Sequence, residues 1–236
     1  MSIIKSASDH LLRMMNDLLD FSKLQAQKLK LEYTYFSLRQ NFSEVYHLFR
    51  YQAANQKIMF FFHVDDDVPD IVFGDSYRLK QIIINLINNS LKFTRQGQIS
   101  FSAENNKLFG KQVEIKITVS DTGIGIEKDK LSGIFDEFVQ ADASFSRKYG
   151  GTGLGLSIVK KLLDLHKGRI EVHSEPSHGT TIIIFISYQI GDKSMLSTET
   201  PEFTTHDYLK GKKVLAVDDT DYNRLLLKKV AFQTTE

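Results

Sequence analysis

The chain has 236 residues, 42% hydrophobic and 25% charged, a balance typical of globular proteins and far from that of disordered or collagenous chains. A formal net charge of +1 excludes a strongly basic surface built for nucleic acid as a whole, so no direct nucleic-acid partner is expected. No cysteine is present, which rules out disulfides and thiolate zinc sites, and no run approaches the roughly 20 apolar residues needed to span a bilayer.

Ile4, Ala7, Leu11, Met14, Leu18 and Phe21 alternate in steps of three and four, the seam of a coiled coil or helical bundle. The spacing predicts one long helix over residues 2 to about 30, with Leu12, Met15 and Leu19 widening the stripe toward bundle packing. Packing of this helix on its own domain is the competing reading. Leu38 to Asn55 reads as a second helix, and Lys57 to Val64 as a strand rich in Phe and Ile. After Gly74, Asp75 or Ser76 caps a helix running to about Thr94, and strands follow at Gln98 to Glu104 and Val113 to Ser120. Residues 123–151 have no sustained period and read as a long loop with a short helical piece around Leu131 to Phe138. Such loops inside compact domains are usually functional. A helix over Gly153 to His166 and strands at Arg169 to Ser174 and Thr180 to Tyr188 complete a two-layer α/β sandwich: a mixed, mainly antiparallel sheet with helices over one face. Residues 191–210 turn polar and read as a linker. Lys213 to Val217 is then a short buried-type strand ending in Asp218 and Asp219, followed by a helical start at Tyr222 to Val230. Two such elements cannot bury a core alone and are expected to begin another domain.

Between Ile82 and Leu91 the third helix is aliphatic except at Asn85, Asn88, Asn89 and Ser90, and asparagine is a poor helix former. Gln81, Asn85, Asn89 and Lys92 recur at steps of four, four and three, which puts them on one face and offers amide oxygens and an ammonium to a single ligand. Amide oxygens suit Mg²⁺, which completes its shell with waters and substrate phosphates, although a polar face meeting water has the same pattern. Asp121 ends a buried-type strand as an acceptor-only carboxylate able to read the exocyclic amine of adenine, and Gly123 and Gly125 allow a tight turn and close approach. A routine strand-to-loop turn would also carry these residues. Gly150, Gly151, Gly153 and Gly155, with Thr152 and Leu154 between them, precede an amphipathic helix whose N-terminal N–H groups could receive a triphosphate. This is neither a Walker loop nor a dinucleotide fingerprint. It is expected to act as a lid that orders over phosphates, with Phe135 and Phe138 as its apolar foothold and Arg147 and Lys148 meeting phosphate charge, although a flexible hinge, an ordinary core contact of the two Phe and two solvated cations would have the same pattern.

The order and spacing of these motifs resemble the sensor histidine kinases. Asn85 to Thr94 looks like the N box of that family, Asp121 to Gly125 its first glycine box, Phe135 to Phe138 its F box, Gly151 to Gly155 its second glycine box and Gly179 to Thr181 its last. The resemblance implies the Bergerat-type ATPase fold shared with gyrase and MutL, with ATP and Mg²⁺ as ligands. It implies Asn89 as the principal Mg²⁺ ligand, Asp121 on adenine, Thr180 near the base, and Gly151, Thr152, Gly153, Leu154 and Gly155 around the phosphates. Lys92 and Phe93 would flank the nucleotide. Gln81, Asn85 and Arg147 are the residues expected to take part in transfer. Two positions depart from the pattern: Gln81 stands where many members carry an acid or histidine thought to assist transfer, and Gln140 where some place a basic residue. Arg147 is the candidate substitute.

The flanks resemble the same proteins. Asn16 to Leu29 looks like the second helix of the dimerisation bundle, whose companion bears the phosphoaccepting histidine; His10 lacks the residues that follow that histidine and reads as an exposed helix histidine. Lys213 to Asp219, with Asn223, Arg224 and Leu225, looks like the opening of a receiver domain. The implied organisation is 1–35 bundle helix, 36–190 ATP-binding catalytic domain, 191–210 linker and 211–236 receiver start. The implied function is that of a hybrid histidine kinase, which transfers the γ-phosphoryl of ATP to a histidine on a dimerisation helix outside these residues. The implied setting is a homodimer, with a receiver domain in cis or a response regulator as partner, in the cytoplasmic part of a membrane-bound sensor. These residues alone are expected to bind nucleotide without autophosphorylating. A nucleotide-binding regulatory module, which Gln81 and Gln140 favour, and a gyrase-like ATPase are the alternatives.

Overall fold

Period-two and period-3.6 patterns resolve into strands and helices in the computed structural model, which describes residues 15, 18–26, 28–137 and 153–196. The chain divides into two compact units, Met1–Leu196 and Ser197–Glu236, and every described residue belongs to the first. His10, most of residues 191–210 and the segment from Lys213 onward lie outside the described residues.

Residues 18–25 form helix α1. There follow β1 (Thr34–Ser37), α2 (Leu38–Asn55), β2 (Ile58–Val64), β3 (Ile71–Gly74), α3 (Ser76–Phe93), β4 (Gly97–Phe109), β5 (Gln112–Asp121), α4 (Gly155–Leu165), β6 (Arg169–Glu175) and β7 (Gly179–Ile190). The expected helical piece near Leu131 is a single 3₁₀ turn at Leu131–Gly133. The strands make one sheet in the order β1-β3-β7-β5-β4-β2, with β6 also paired to β7; β2–β4 is parallel and the other pairs are antiparallel. The expected mixed, mainly antiparallel sandwich is therefore the fold.

Alternation explains the layering. In β5, Val113, Ile115, Ile117 and Val119 are buried while the residues between them are not, so one face meets the helices. On α3, Leu79, Ile82, Ile83, Leu86 and Ile87 are fully buried against this face, which turns Gln81, Asn85, Asn89 and Lys92 toward the other side of the helix. Caps fix the helix starts. Ser37 accepts from the Gln40 amide at α2, and Asp75 accepts from the Arg78 amide at α3. The second Asp75 oxygen takes the Glu32 amide at 2.8 Å, so the same carboxylate also ties the segment after α1 to the domain.

His166 closes α4 with its ring Nε2 buried and unpartnered among the described residues. Burial holds its pKa below the ordinary imidazole value, and the Asp75 charge opposes this only in part. Between about pH 6.5 and that lower value the unfolded chain binds a proton that the native chain refuses, so this contribution to stability is complete above about pH 6.5 and is lost as pH falls. Replacing His166 with Leu is expected to flatten the pH dependence of urea unfolding between roughly pH 5 and 7 relative to the parent chain. Equal slopes would refute the assignment.

Candidate functional site

Asp121 ends β5 opposite Thr180 of β7 and is buried. Its Oδ1 accepts from the Gly123 amide at 2.9 Å and the Thr180 amide at 3.2 Å, and its Oδ2 accepts from the Ser90 hydroxyl at 2.9 Å. Burial raises its pKa above the ordinary carboxylate value, while the three donors favour the charged form. The orientation of the carboxylate is thus set from the sheet, from the following loop and from α3 together.

The loop after Asp121 is a bridge. The Thr122 amide donates to the Gln98 carbonyl at 3.1 Å, and the Ile124 amide to the Phe93 carbonyl at 3.3 Å. A Cβ on Gly123 would lie 2.6 Å from that Phe93 oxygen, so only glycine allows the loop to rest on the end of α3. On its far side the Ile126 amide donates to the Ser174 hydroxyl at 2.8 Å, and the Ser177 amide to the Ile124 carbonyl at 2.7 Å. Ser174 in turn meets the Thr180 hydroxyl and the Gly179 carbonyl, each at 2.9 Å. Thr180, which the sequence reached only through a family resemblance, therefore sits in the same polar web as Asp121.

Along α3 the half-buried residues Asn85, Asn89 and Lys92 continue from this web. Asn85 Oδ1 is 3.9 Å from the position of a Cβ on Gly155, which puts the stripe against the first turn of α4. Asn85 Nδ2 is buried with no partner among the described residues, a donor that a ligand oxygen would satisfy. Leu154, buried at 1% exposure, anchors the downstream end of the glycine loop, and no side chain caps α4 there. The N-terminus of α4 meets the asparagine stripe at Gly155, and helix N-termini favour anions. Lys92 holds its ammonium 5.0 Å from the centre of the Phe93 ring, and burial lowers its pKa below the ordinary lysine value. Ser90 and Asn85 are five residues apart, roughly 7.5 Å of helix rise, so the Asp121 end and the α4 end of the cleft are separate subsites on one helix.

The structure brings together Asn85, Asn89, Lys92, Phe93, Asp121, Gly123, Gly125, Thr180, Leu154 and Gly155, with Gly153 just upstream of α4. Gln81 lies one turn before Asn85 on the same face of α3, and its amide donates to Asp20 of α1. Phe135 is described and half-buried; Phe138, Gln140, Arg147, Lys148, Gly151 and Thr152 lie outside the described residues. Among the described residues no group of three or more His, Asp or Glu could hold a metal. The oxygen donors lining the α3 face are amides, which fit a cation that draws most of its shell from water and phosphate. Sequence reasoning missed the roles of Ser90 and Ser174. Ser90 stood out as a polar break in an aliphatic run, but Ser174 carried no signal, since the amide it accepts lies 48 residues away.

Residues 74–190 match the family described as histidine kinase-, DNA gyrase B-, and HSP90-like ATPase. The chain is 39% identical over 218 residues to the signal transduction histidine-protein kinase BarA of Escherichia coli K12, an alignment covering 92% of this chain and 23% of that protein. Its fold is similar to full-length ShkA in complex with AMPPNP (TM-score 0.69, 28% identity, 80% of this chain and 38% of that one). It is also similar to the catalytic domain of histidine kinase ThkA (TM-score 0.53, 30% identity, 68% of this chain and 99% of that one).

Proposed function

This chain belongs to the histidine kinases within the histidine kinase-, DNA gyrase B- and HSP90-like ATPases, and we propose that its cleft binds Mg²⁺-ATP and delivers the γ-phosphoryl to a histidine. The observation that carries the reading is the convergence of three donors on the buried Asp121 carboxylate, with an unpartnered Asn85 amide facing the first turn of α4 on the same helix as Ser90. In this reading Asp121 accepts from the exocyclic amine of adenine, with Thr180 beside the base. Lys92 and Phe93 line the nucleotide, and the N–H groups from Gly151 through Thr152, Gly153 and Leu154 to Gly155 surround the phosphates. Asn89 is the principal Mg²⁺ ligand and Asn85 supports it; the ion supplies neutralisation of phosphate charge. Asn85 and Arg147 then position the γ-phosphoryl. The imidazole nitrogen of the acceptor forms the new P–N bond as the bond to the ADP oxygen breaks.

The acceptor is proposed to lie on a dimerisation helix outside these residues, in a homodimer of the hybrid type with a receiver domain in cis or a response regulator downstream, on the cytoplasmic side of a membrane-bound sensor. Met15, Leu18 and Leu19 support the bundle, since they stay more than half exposed at 54%, 54% and 56%, an apolar face that a further helix would cover. No described helix is long and apolar enough to cross a membrane.

Calorimetric titration with ATP, with and without Mg²⁺, tests the site. The parent chain is expected to gain affinity from Mg²⁺, and Asn89→Ala to lose at least about tenfold of that gain, close to 1.4 kcal/mol. Equal affinities with and without the ion would refute the Asn89 role. Bound ATP with no label passed to a histidine-bearing domain supplied in trans would favour the nucleotide-binding regulatory reading instead.

A further inference from the structure

Among the described residues, three strands of the sheet have a free side: β1 and β2 at its ends, and β6, which pairs only with β7. Such a side is a row of unpaired N–H and C=O groups, and proteins blunt it by keeping the strand short or by placing charge on it. β1 is four residues long, and β6 carries Arg169, Glu171 and Glu175. β2 has neither protection. It runs for seven residues, from Ile58 to Val64, with no lysine, arginine, acid or proline. Its inner side chains are tied to the domain, since the Tyr46 ring of α2 lies 5.1 Å from the Phe62 ring and 5.3 Å from the Phe60 ring. On the outer face Met59 and Phe61 stay 58% and 51% exposed.

The direction of the main-chain groups is fixed by the neighbouring strand. The Asp65 amide donates to the Ala103 carbonyl of β4 at 3.0 Å. Direction alternates along a strand, so the groups of Met59, Phe61 and His63 face β4 as well, and those of Ile58, Phe60, Phe62 and Val64 face outward. In keeping with this phase, the Val64 carbonyl receives Arg39 Nη1, at 3.5 Å.

Charge then selects what can lie along the edge. Lys57 precedes β2 and Asp65, Asp66 and Asp67 follow it, so the edge has a cationic end and an anionic end. An antiparallel copy of the same strand, centred on Phe61, sets Lys57 of each molecule against Asp65 of the other. It also matches Ile58 with Val64, Met59 with His63 and Phe60 with Phe62. The centring suits the backbone phase: Phe60 and Phe62 of the two copies exchange hydrogen bonds, and the two Phe61 residues form the close, non-hydrogen-bonded pair on the two-fold axis. Centring on Phe60 would set Lys57 against His63, and centring on Phe62 would set Asp65 against Met59.

We propose that β2 docks against β2 of a second copy of this chain, in a two-fold pair that continues the sheet from one molecule into the next. The edge lies apart from the nucleotide cleft, and the proposal does not rest on the kinase reading. Two strands of this length bury far less than the roughly 1,600 Å² of a standard interface, so the dissociation constant is expected on the order of 10–100 μM.

Sedimentation of the whole chain over concentrations that bracket this value, with hydrogen exchange of the β2 amides, tests the pairing. The chain is expected to pass from monomer to dimer, and the Phe60 and Phe62 amides to slow at least about fivefold as it does so. Lys57→Asp and Asp65→Lys each place like charges at both ends and are expected to weaken association at least about tenfold. Mixed in equal amounts, these two variants regain opposite charges at both ends and are expected to pair with each other as tightly as the parent does. Both positions are solvent-accessible, and the Asp65 contact with His63 that Asp65→Lys removes is an exposed one, so the fold is kept. A parent chain that stays monomeric throughout overturns the self-pairing and leaves the edge to an extended segment of another protein. A dimer that both single variants form equally well, or one that leaves the Phe60 and Phe62 amides unprotected, overturns it too, because that dimer is held elsewhere. A mixture of the two variants that stays apart overturns the register.

Discussion

Asp121→Asn is expected to weaken ATP binding by at least about 100-fold, equivalent to about 2.7 kcal/mol, without unfolding the domain. The carboxylate presents two acceptor oxygens to a set of donors: the Gly123 and Thr180 amides on one oxygen and the Ser90 hydroxyl on the other. An asparagine has one acceptor oxygen and an NH₂ group that only donates. If its oxygen stays with the two backbone amides, its NH₂ faces Ser90 and the bound base, so the exocyclic amine of adenine meets another donor. If it flips, two backbone N–H groups lose their partner in a buried place, at about 1–3 kcal/mol for each unsatisfied group. Either choice removes the feature that reads the base. Ser90 can rotate its hydroxyl and accept, so the loss falls mainly on the ligand. The buried carboxylate also protonates above the ordinary carboxylate range, so affinity of the parent chain is expected to decline on acidification before that range is reached. Titration calorimetry of both chains near neutral pH, with circular dichroism confirming the fold, decides the point. An Asp121→Asn chain that binds ATP within about tenfold of the parent would remove Asp121 from the base subsite.

The sequence carried the long elements because their periods are long enough to read. The eighteen residues of α2 run from Leu38 to Asn55, as their spacing predicts, and Asp75 caps α3, where its side chain accepts the Arg78 amide. The strands β1 and β3 were invisible for the opposite reason. Each has four residues, too few for alternation to register, and each is made a strand by its partner, with Phe36 opposite Val72 and Ser37 opposite Ile71. The site divides in the same way. Asn85, Asp121 and the glycines sit in local patterns, whereas Ser174 becomes part of the Asp121 web only when β6 is laid beside β7. Helix α1 is the most informative case. Its heptad seam treats Leu18 and Phe21 as equivalent, yet Phe21 is buried against the domain and Leu18 is exposed. A one-dimensional period cannot tell which of two neighbouring apolar stripes meets the nucleotide domain, because the contacts that α1 makes there, such as those of Asp20 with Arg78 and Gln81, are 58 and 61 residues away in sequence.

Gly179→Ala is expected to lower the stability of the domain by roughly 3–5 kcal/mol, a fall in Tm on the order of 10 °C for a unit of this size. Gly179 opens β7 with φ of 94°, in the region that L side chains avoid. The space for a side chain is also taken: a Cβ would overlap the Asp121 carbonyl oxygen and lie 2.7 Å from the Asp121 carbonyl carbon and 2.8 Å from Thr122 Cα. These are backbone atoms, held by the pairing of Asp121 with Thr180 and by the bond from the Thr122 amide to the Gln98 carbonyl, so no rotamer change relieves the overlap. Relief requires either Gly179 to leave the ladder or Asp121 to move away from it, and both break the bond from the Thr180 amide to the carboxylate. Stability and nucleotide binding should therefore fall together. Gly110→Ala separates the two sources of cost. Gly110 has φ of 59°, yet nothing lies within 4 Å of a Cβ placed there, so only the backbone penalty of about 1 kcal/mol applies. Urea unfolding of the two variants side by side measures the difference. If Gly179→Ala costs no more than Gly110→Ala, the approach of β7 to Asp121 is looser than the contact requires, and the glycine at that position answers to the turn alone rather than to the seat of the carboxylate.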